Sequence, residues 1–135
     1  VSAVLVQLPP SRTFTPDALS RLLDVCAACT CQVVVEFRHH SWLCTAALSA
    51  LEAVGVSVCG TVVYGSKNWM GEFPSGLWLP PPSVLLRYVR VHGARRYRGA
   101  LRAADRAAIG AAGADYVVFN NCVGQQAMRD ALVPV

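Results

Sequence analysis

The stretch Tyr88–Gly93, which reads YVRVHG, alternates apolar and polar side chains as a β-strand does. The alternation predicts that Val89 and Val91 face one side of a sheet, while Arg90 and His92 face the other together with the leading tyrosine. A strand that places an arginine and a histidine on one face builds a polar interior or a site. This strand is therefore the first candidate for a functional region.

The composition predicts one globular domain. The chain has 135 residues, is 54% hydrophobic and has a mean hydropathy of +0.41, which supplies a core and excludes disorder. Its longest weakly polar stretch, residues 46–64, contains Glu52 and two glycines, and the chain does not open on a basic leader. We therefore predict no membrane partner and a cytoplasmic location.

Charge and cysteines raise two further questions about ligands. Seven of the eleven arginines lie between Arg87 and Arg106, a local excess that either meets phosphates or forms a solvated basic face. The spacing of Cys26, Cys29 and Cys31 resembles half of a metal site, but no second Cys/His cluster follows it. We therefore predict no metal, no cofactor and reduced thiols.

The chain in order predicts apolar strands that alternate with helices. The predicted strands span residues 4–8, 32–37, 56–59, 84–92 and 115–119, and the predicted helices span about 16–28, 44–54, 101–112 and 125–132. Thr15 is the expected N-cap of the first helix, with Pro16 at its first position. Residues 60–83 read as a long irregular connection that holds Trp69 and Trp78, either packed by its own side chains or forming a lid.

This alternation indicates α/β architecture with a parallel sheet. Polar residues recur on one face of successive strands, namely Gln7, Glu36, Arg38, Tyr88, Arg90, His92 and Asn120. An open, doubly wound sheet would be apolar on both faces, so the pattern favours a TIM-barrel-like (β/α)8 fold with its site at the carboxyl ends of the strands. Five strands do not close such a barrel. We therefore expect residues 1–135 to be the carboxyl-terminal part of one barrel domain, with the missing amino-terminal strands before Val1.

Five motifs, spread over nearly the whole chain, resemble the DUF72 family, also called YecE-like proteins. They are VQLPPS at 6–11, VEFRHxSW at 35–42, YVRVHG at 88–93, YxG at 97–99 and FNN at 119–121. The resemblance implies a TIM-barrel-like fold of which this chain is the carboxyl-terminal half, in a family without an established biochemical function. His40 departs from the family's usual proline, and Asp130 from its usual asparagine.

The candidate site combines acid–base groups with anion-binding groups. Glu36 and His92 are the predicted catalytic residues, with Glu36 acting as a general base if burial raises its pKa. The predicted substrate-binding residues lie on the polar face or in the loops that leave it: Gln7, Arg38, His39, Trp42, Tyr88, Arg90, Tyr97, Asn120 and Asn121. The two guanidiniums offer fork-shaped contacts to phosphate or carboxylate. The structural alternative is an interior ion pair, a satisfied core histidine and a polar turn.

Three functions remain open at this point. The first is a barrel that binds an anionic small molecule, with or without acid–base catalysis, so whether the protein is an enzyme stays undecided. The second is a nucleic-acid-binding or nucleic-acid-processing barrel that uses the arginine-rich rim. The third is a non-catalytic binding barrel.

Overall fold

The structure is a computed structural model that describes residues 3–65, 73–83, 85–94 and 96–135. Its strands are β1 (Ala3–Gln7), β2 (Gln32–Glu36), β3 (Ser57–Val58), β4 (Gly60–Val63), β5 (Gly76–Trp78), β6 (Tyr88–Gly93) and β7 (Tyr116–Phe119). Its α-helices are α1 (Pro16–Ala27), α2 (Thr45–Ala53), α3 (Ala103–Ala111) and α4 (Gln126–Ala131), and short 3₁₀ turns span His40–Trp42 and Val123–Gln125. No helix in the described ranges is long and apolar enough to cross a membrane.

Helix α1 begins where the sequence predicts. The hydroxyl of Thr15 accepts a hydrogen bond from the backbone N–H of Ala18 at 3.0 Å, and Pro16 occupies the first helical position. The hydroxyl satisfies one of the four backbone N–H groups that a helix leaves unpaired at its start. The predicted capping of α1 is confirmed.

The strands form two connected sheets. The first has the order β1-β2-β3 and is parallel, and the second has the order β5-β4-β6-β7, in which only β5 is antiparallel. A single residue, Cys59, separates β3 from β4, and its N–H donates to the carbonyl of Val35 at 2.8 Å. The chain therefore passes from one sheet to the other without a turn. Neighbouring parallel strands follow one another in chain order, and the predicted α/β class is confirmed.

Two predicted boundaries are wrong. Residues 60–83 are not irregular throughout, because β4 continues the strand past Gly60 and β5 pairs with it, whereas Trp69 lies outside the described residues. The strand predicted at 84–92 begins only at Tyr88. Before it, the N–H of Leu86 donates to the hydroxyl of Ser57 and the N–H of Arg87 donates to the carboxylate of Asp115. These side-chain acceptors replace the ladder partners of a strand, and residue 84 itself is not described.

Helices cover one face of the sheets and form two apolar clusters. The first packs α1 and α2 on β2 and includes Phe37 and Leu51, and the second packs α3 on β4 and β6 and includes Ile109. Trp42 belongs to the first cluster, with its ring stacked 4.9 Å from that of Phe37, and it is fully buried. The opposite face carries the polar side chains of Gln7, Glu36 and Arg90, together with apolar residues such as Val34.

Candidate functional site

Strand register brings the predicted polar residues together. Gln7 on β1 lies beside Glu36 on β2, and Thr61 on β4 lies beside Arg90 on β6. Because side chains of register partners in a parallel sheet emerge on the same face, each pair presents its polar groups to one side. His92 lies two residues beyond Arg90 and therefore shares that face.

Glu36 is the centre of the cluster. Its side chain is fully buried, and the oxygen Oε1 is 2.8 Å from Nε of Arg38 and 2.9 Å from Nε2 of His92. Its second oxygen, Oε2, accepts from Nη1 of Arg90. An ionised carboxylate accepts hydrogen bonds and donates none, so His92 is the donor to it through Nε2. One carboxylate thus orients three cationic or polar side chains.

Gln7 ties the two arginines to each other. Its amide oxygen accepts from Nη2 of Arg38 at 2.8 Å and from Nη1 of Arg90 at 3.1 Å. The side chains of Arg38 and Arg90 keep only 6% and 12% of their surface exposed. Both guanidiniums are therefore held rigidly, at the level where β1 and β2 end.

The groups of the cluster shift the pKa values of Glu36 and His92. Burial alone would raise the pKa of Glu36, but the hydrogen bond from His92, together with the charges of Arg38 and Arg90, lowers it below its ordinary value. Burial lowers the pKa of His92, although its hydrogen bond to Glu36 opposes that effect. At neutral pH the cluster thus contains one carboxylate, two guanidiniums and a neutral imidazole. The pKa of Glu36 is thus lowered and not raised, and its role as a general base stays a prediction.

The loop that leaves β6 carries Tyr97 to the cluster. The rings of His92 and Tyr97 lie 6.4 Å apart, and Ala94 pairs with Arg98 across the loop. Arg96 and Tyr97 adopt left-handed backbone angles, with φ of 60° and 58°, which residues other than glycine rarely adopt. Strained backbone of this kind persists where surrounding contacts enforce it, and it concentrates at functional sites.

Glycine is required where that loop begins. Gly93 has a φ of +69°, and a Cβ atom there would collide with the backbone oxygen of Arg98. Any larger residue would therefore push the two sides of the loop apart. The loop geometry that brings Tyr97 beside His92 depends on this glycine.

Asn121 holds the same loop from the outside. Its buried amide donates to the carbonyl of Gly99 at 2.9 Å and to Oδ2 of Asp130 at 2.6 Å, and Asp130 also accepts from the N–H of Leu101 at 2.9 Å. Asn120 is half-buried, and its backbone N–H donates to Val91 at 2.7 Å. The structure therefore places Asn121 in a structural clasp with Asp130, a residue that we had noted only as a departure from the family pattern.

Two other predicted ligand-binding residues form hydrogen bonds outside the cluster. Trp42 donates through its indole N–H to the carbonyl of Arg12 at 2.8 Å inside the core. Nδ1 of His39 lies 2.8 Å from the hydroxyl of Ser41 in the turn after β2. Tyr88 is half-buried at the start of β6, and burial is the main reason that the pKa of its phenol is raised.

Thr61 is a site residue that the sequence reasoning missed. It is 1% exposed and lies beside Arg90 in the sheet. Within the described ranges, neither its hydroxyl oxygen nor Nε of Arg90 has a hydrogen-bond partner. The alternation of polar residues would have identified Thr61 had the strand been continued through Gly60.

The arginine-rich segment is only partly exposed. The guanidinium of Arg102 lies 4.1 Å from the centre of the Tyr64 ring, and Arg106 contacts Asp130 at 3.4 Å. Arg96 and Arg98 are exposed, whereas Arg95 lies outside the described residues. In the part of the chain that the structure describes, no group of three or more His, Cys, Asp or Glu residues could hold a metal ion.

Comparison with known proteins agrees with the motifs. The crystal structure of a DUF72 family protein from Thermotoga maritima superimposes with a TM-score of 0.78 at 23% identity, over 97% of this chain and 55% of its own. A DUF72 family protein from Enterococcus faecalis gives a TM-score of 0.71 at 18% identity over 96% of this chain and 58% of its own.

These identities show a shared fold and no more, and the chain spans little more than half the length of either structure. No curated protein matches the chain. The family model described as "Protein of unknown function DUF72" matches residues 1–133. The chain therefore belongs to the DUF72 family, as its five motifs predict.

Proposed function

We propose that this protein binds an anionic small molecule, bearing a phosphate or a carboxylate, at the carboxyl ends of its strands. One observation carries the proposal: Glu36 and Gln7 hold the guanidiniums of Arg38 and Arg90 together at the carboxyl ends of β1 and β2. Two guanidiniums that are fixed in this way offer fork-shaped hydrogen-bond contacts to a phosphate or a carboxylate.

We also propose that the sheets are part of a TIM-barrel-like (β/α)8 fold. Support comes from the parallel strands β1, β2, β3–β4, β6 and β7, which neighbour one another in chain order, and from the polar face opposite the helices. A barrel would enclose that face and place the Glu36 cluster at its mouth. The remaining part of a longer protein would close the barrel and complete the site.

Acid–base catalysis at this site would depend on His92 more than on Glu36. The pKa of Glu36 is lowered, and its two oxygens accept hydrogen bonds from Arg90 and His92 and form an ion pair with Arg38, so it suits orienting these three side chains. His92 is neutral at physiological pH and lies near Tyr97, on the side where a ligand would sit. A neutral imidazole can accept a proton, which is the requirement for a general base. A non-catalytic binding barrel would use the same contacts without this step.

A nucleic acid is the alternative ligand. The exposed Arg96 and Arg98 favour it, but Arg102 and Arg106 are engaged with Tyr64 and Asp130 and offer less to a phosphate backbone. Binding to nucleic acid weakens steeply with salt, because each contact releases counterions. A steep slope of affinity against salt would favour this alternative over a small ligand. We further propose a reducing, cytoplasmic location, which the six free cysteines support.

The anion site is tested by thermal shift with inorganic phosphate and simple carboxylates. We expect a rise in melting temperature that Arg90→Ala abolishes and that Arg90→Lys, which keeps the charge but loses the fork, reduces. Arg129→Ala is the matched control, because this exposed arginine lies on α4 and not on the strands that carry the cluster. A shift that survives Arg90→Ala would place the anion site elsewhere.

A further inference from the structure

Two neighbouring residues on the polar face of the sheets, Thr61 and Arg90, each bury a polar atom that has no hydrogen-bond partner in the described part of the chain. The atoms are the hydroxyl oxygen of Thr61 and Nε of Arg90. We infer that these two groups together bind one oxygen of the ligand anion, which makes Thr61 a ligand-binding residue. The inference rests on the proposed anion site and deepens it by assigning the contacts that hold the anion.

Strand pairing places the two side chains next to each other. Thr61 on β4 and Arg90 on β6 are register partners in a parallel pair, so their side chains leave the sheet on the same face. Neighbouring strands lie about 4.8 Å apart, which is close enough for one oxygen to contact both side chains. Thr61 is 1% exposed, whereas the Arg90 side chain keeps 12% of its surface exposed. The face therefore meets solvent at the guanidinium, beside the buried hydroxyl.

The guanidinium of Arg90 is held by the fold through one of its nitrogens. Its hydrogen bonds to the carboxylate of Glu36 and to the amide oxygen of Gln7, the latter at 3.1 Å, both leave from Nη1. Nε lies on the other edge of the planar group, beside Nη2. Such an edge offers two parallel N–H groups to the two oxygens of a carboxylate or a phosphate. The Nε edge is therefore the part of Arg90 that meets the anion.

The burial of the Thr61 hydroxyl needs a reason. A buried polar group without a hydrogen bond lowers the stability of the fold, and such groups are rare in folded proteins. Valine has nearly the same shape and would fill this strand position without that cost. The hydroxyl and the N–H at Nε are both able to donate, so the group that they lack in common is an acceptor. An oxygen of the bound anion supplies that acceptor, and a bound water molecule is the alternative that the experiment must exclude.

The experiment measures the affinity for inorganic phosphate and for acetate by NMR on the nitrogen-15-labelled protein at neutral pH. Thr61→Val removes the hydroxyl, and Thr61→Ser keeps it. Thr45→Val is the matched control, because Thr45 is exposed at the start of α2. Urea unfolding checks that each variant is folded. The N–H signal of Nε in Arg90 is followed in the same spectra and is assigned by its absence from the Arg90→Lys variant.

We expect Thr61→Val to weaken the binding of the anion about tenfold to a hundredfold, the effect of one hydrogen bond to a charged group. Thr61→Ser and Thr45→Val should bind the anion as the unmodified protein does. The Nε proton of Arg90 should move downfield when the anion binds to the unmodified protein, since a new hydrogen bond forms there. This last measurement needs no substitution at Thr61 and stands even if Thr61→Val does not fold.

The outcomes separate this inference from the proposal on which it rests. If Thr61→Val binds the anion as tightly as the unmodified protein, the hydroxyl contacts a bound water only, and the inference is wrong while the anion site stands. If Thr61→Ser loses as much affinity as Thr61→Val, the hydroxyl is not the cause, and the inference is wrong as well. A saturating anion that leaves the Nε proton unchanged also overturns it. If neither anion binds to the unmodified protein, the inference and the proposed function both fail.

Discussion

Replacing Glu36 with glutamine is expected to destabilise the fold severely. The substitution keeps the shape of the side chain but removes the charge that faces Arg38, Arg90 and His92. It also replaces one acceptor oxygen with an NH₂ group, whose hydrogens would face the N–H groups of an arginine or of His92. Two largely buried guanidiniums would then lose the carboxylate that they share.

The size of the effect follows from the burial of the partners. Removing one member of a buried ion pair costs about 3–5 kcal/mol, because the remaining charge is left without compensation. Glu36 is fully buried and the arginine side chains are 6% and 12% exposed, so little solvent screening reduces this figure. Small proteins lose about 1–3 kcal/mol of stability per molar urea, so the unfolding midpoint should fall by more than about 1 M.

The assay is urea unfolding followed by fluorescence at neutral pH, with Glu52→Gln as the control. Glu52 is exposed on α2, and the same chemical change there should alter stability by less than about 0.5 kcal/mol. A loss below about 1 kcal/mol for Glu36→Gln would refute the reasoning, since the cluster would then be hydrated and screened.

Two further predictions follow from the same face of the sheet. Because the pKa values of His92 and Glu36 are lowered in the folded protein, the unfolded chain binds protons at these two residues more tightly. The free energy of unfolding should therefore be highest above about pH 6.5 and should fall in acid. The loss begins with the protonation of His92 and continues, below about pH 4.3, with that of Glu36. In the His92→Gln variant, the urea midpoint of unfolding should no longer fall between pH 7 and about pH 5. If the midpoint of the unmodified protein does not change over this range, the assignment to His92 is wrong. Thr61→Val removes a buried hydroxyl that has no partner among the described residues, so stability should stay equal or rise by about 1 kcal/mol. A loss of more than about 1 kcal/mol in urea unfolding would mean that the hydroxyl is hydrogen-bonded in solution.

Local alternation was sufficient to predict much of the candidate site. Gln7, Glu36, Arg90 and His92 occupy one parity of their strands, and strand pairing converts that parity into a common face. Thr61 was missed because Gly60 was interpreted as the end of a strand. The glycine instead permits close packing, since a Cβ there would meet Leu79 and Val89 side-chain atoms at 3.1 and 3.2 Å.

Contacts between distant residues could not be predicted in this way. The turn after β2 reads as polar and exposed, yet Trp42 enters the core because its indole reaches the carbonyl of Arg12, thirty residues earlier. Asn121 reads as a turn residue, but its partners are Gly99 and Asp130, which the fold brings to it. In each case tertiary packing determines the hydrogen-bond partner, and the periodicity of the sequence describes only local structure.

The cluster around Glu36 links stability to binding. An anion that binds at the two guanidiniums of the folded protein, and not to the unfolded chain, would stabilise the fold as well as fill the site. An anion at a hundred times its dissociation constant would add about 2.7 kcal/mol, a large part of the stability of a small domain. The substitutions at Glu36 and Arg90 should therefore change anion binding in opposite directions. Loss of the carboxylate leaves more positive charge for added anions to compensate, whereas loss of the guanidinium removes the reason for an anion to bind.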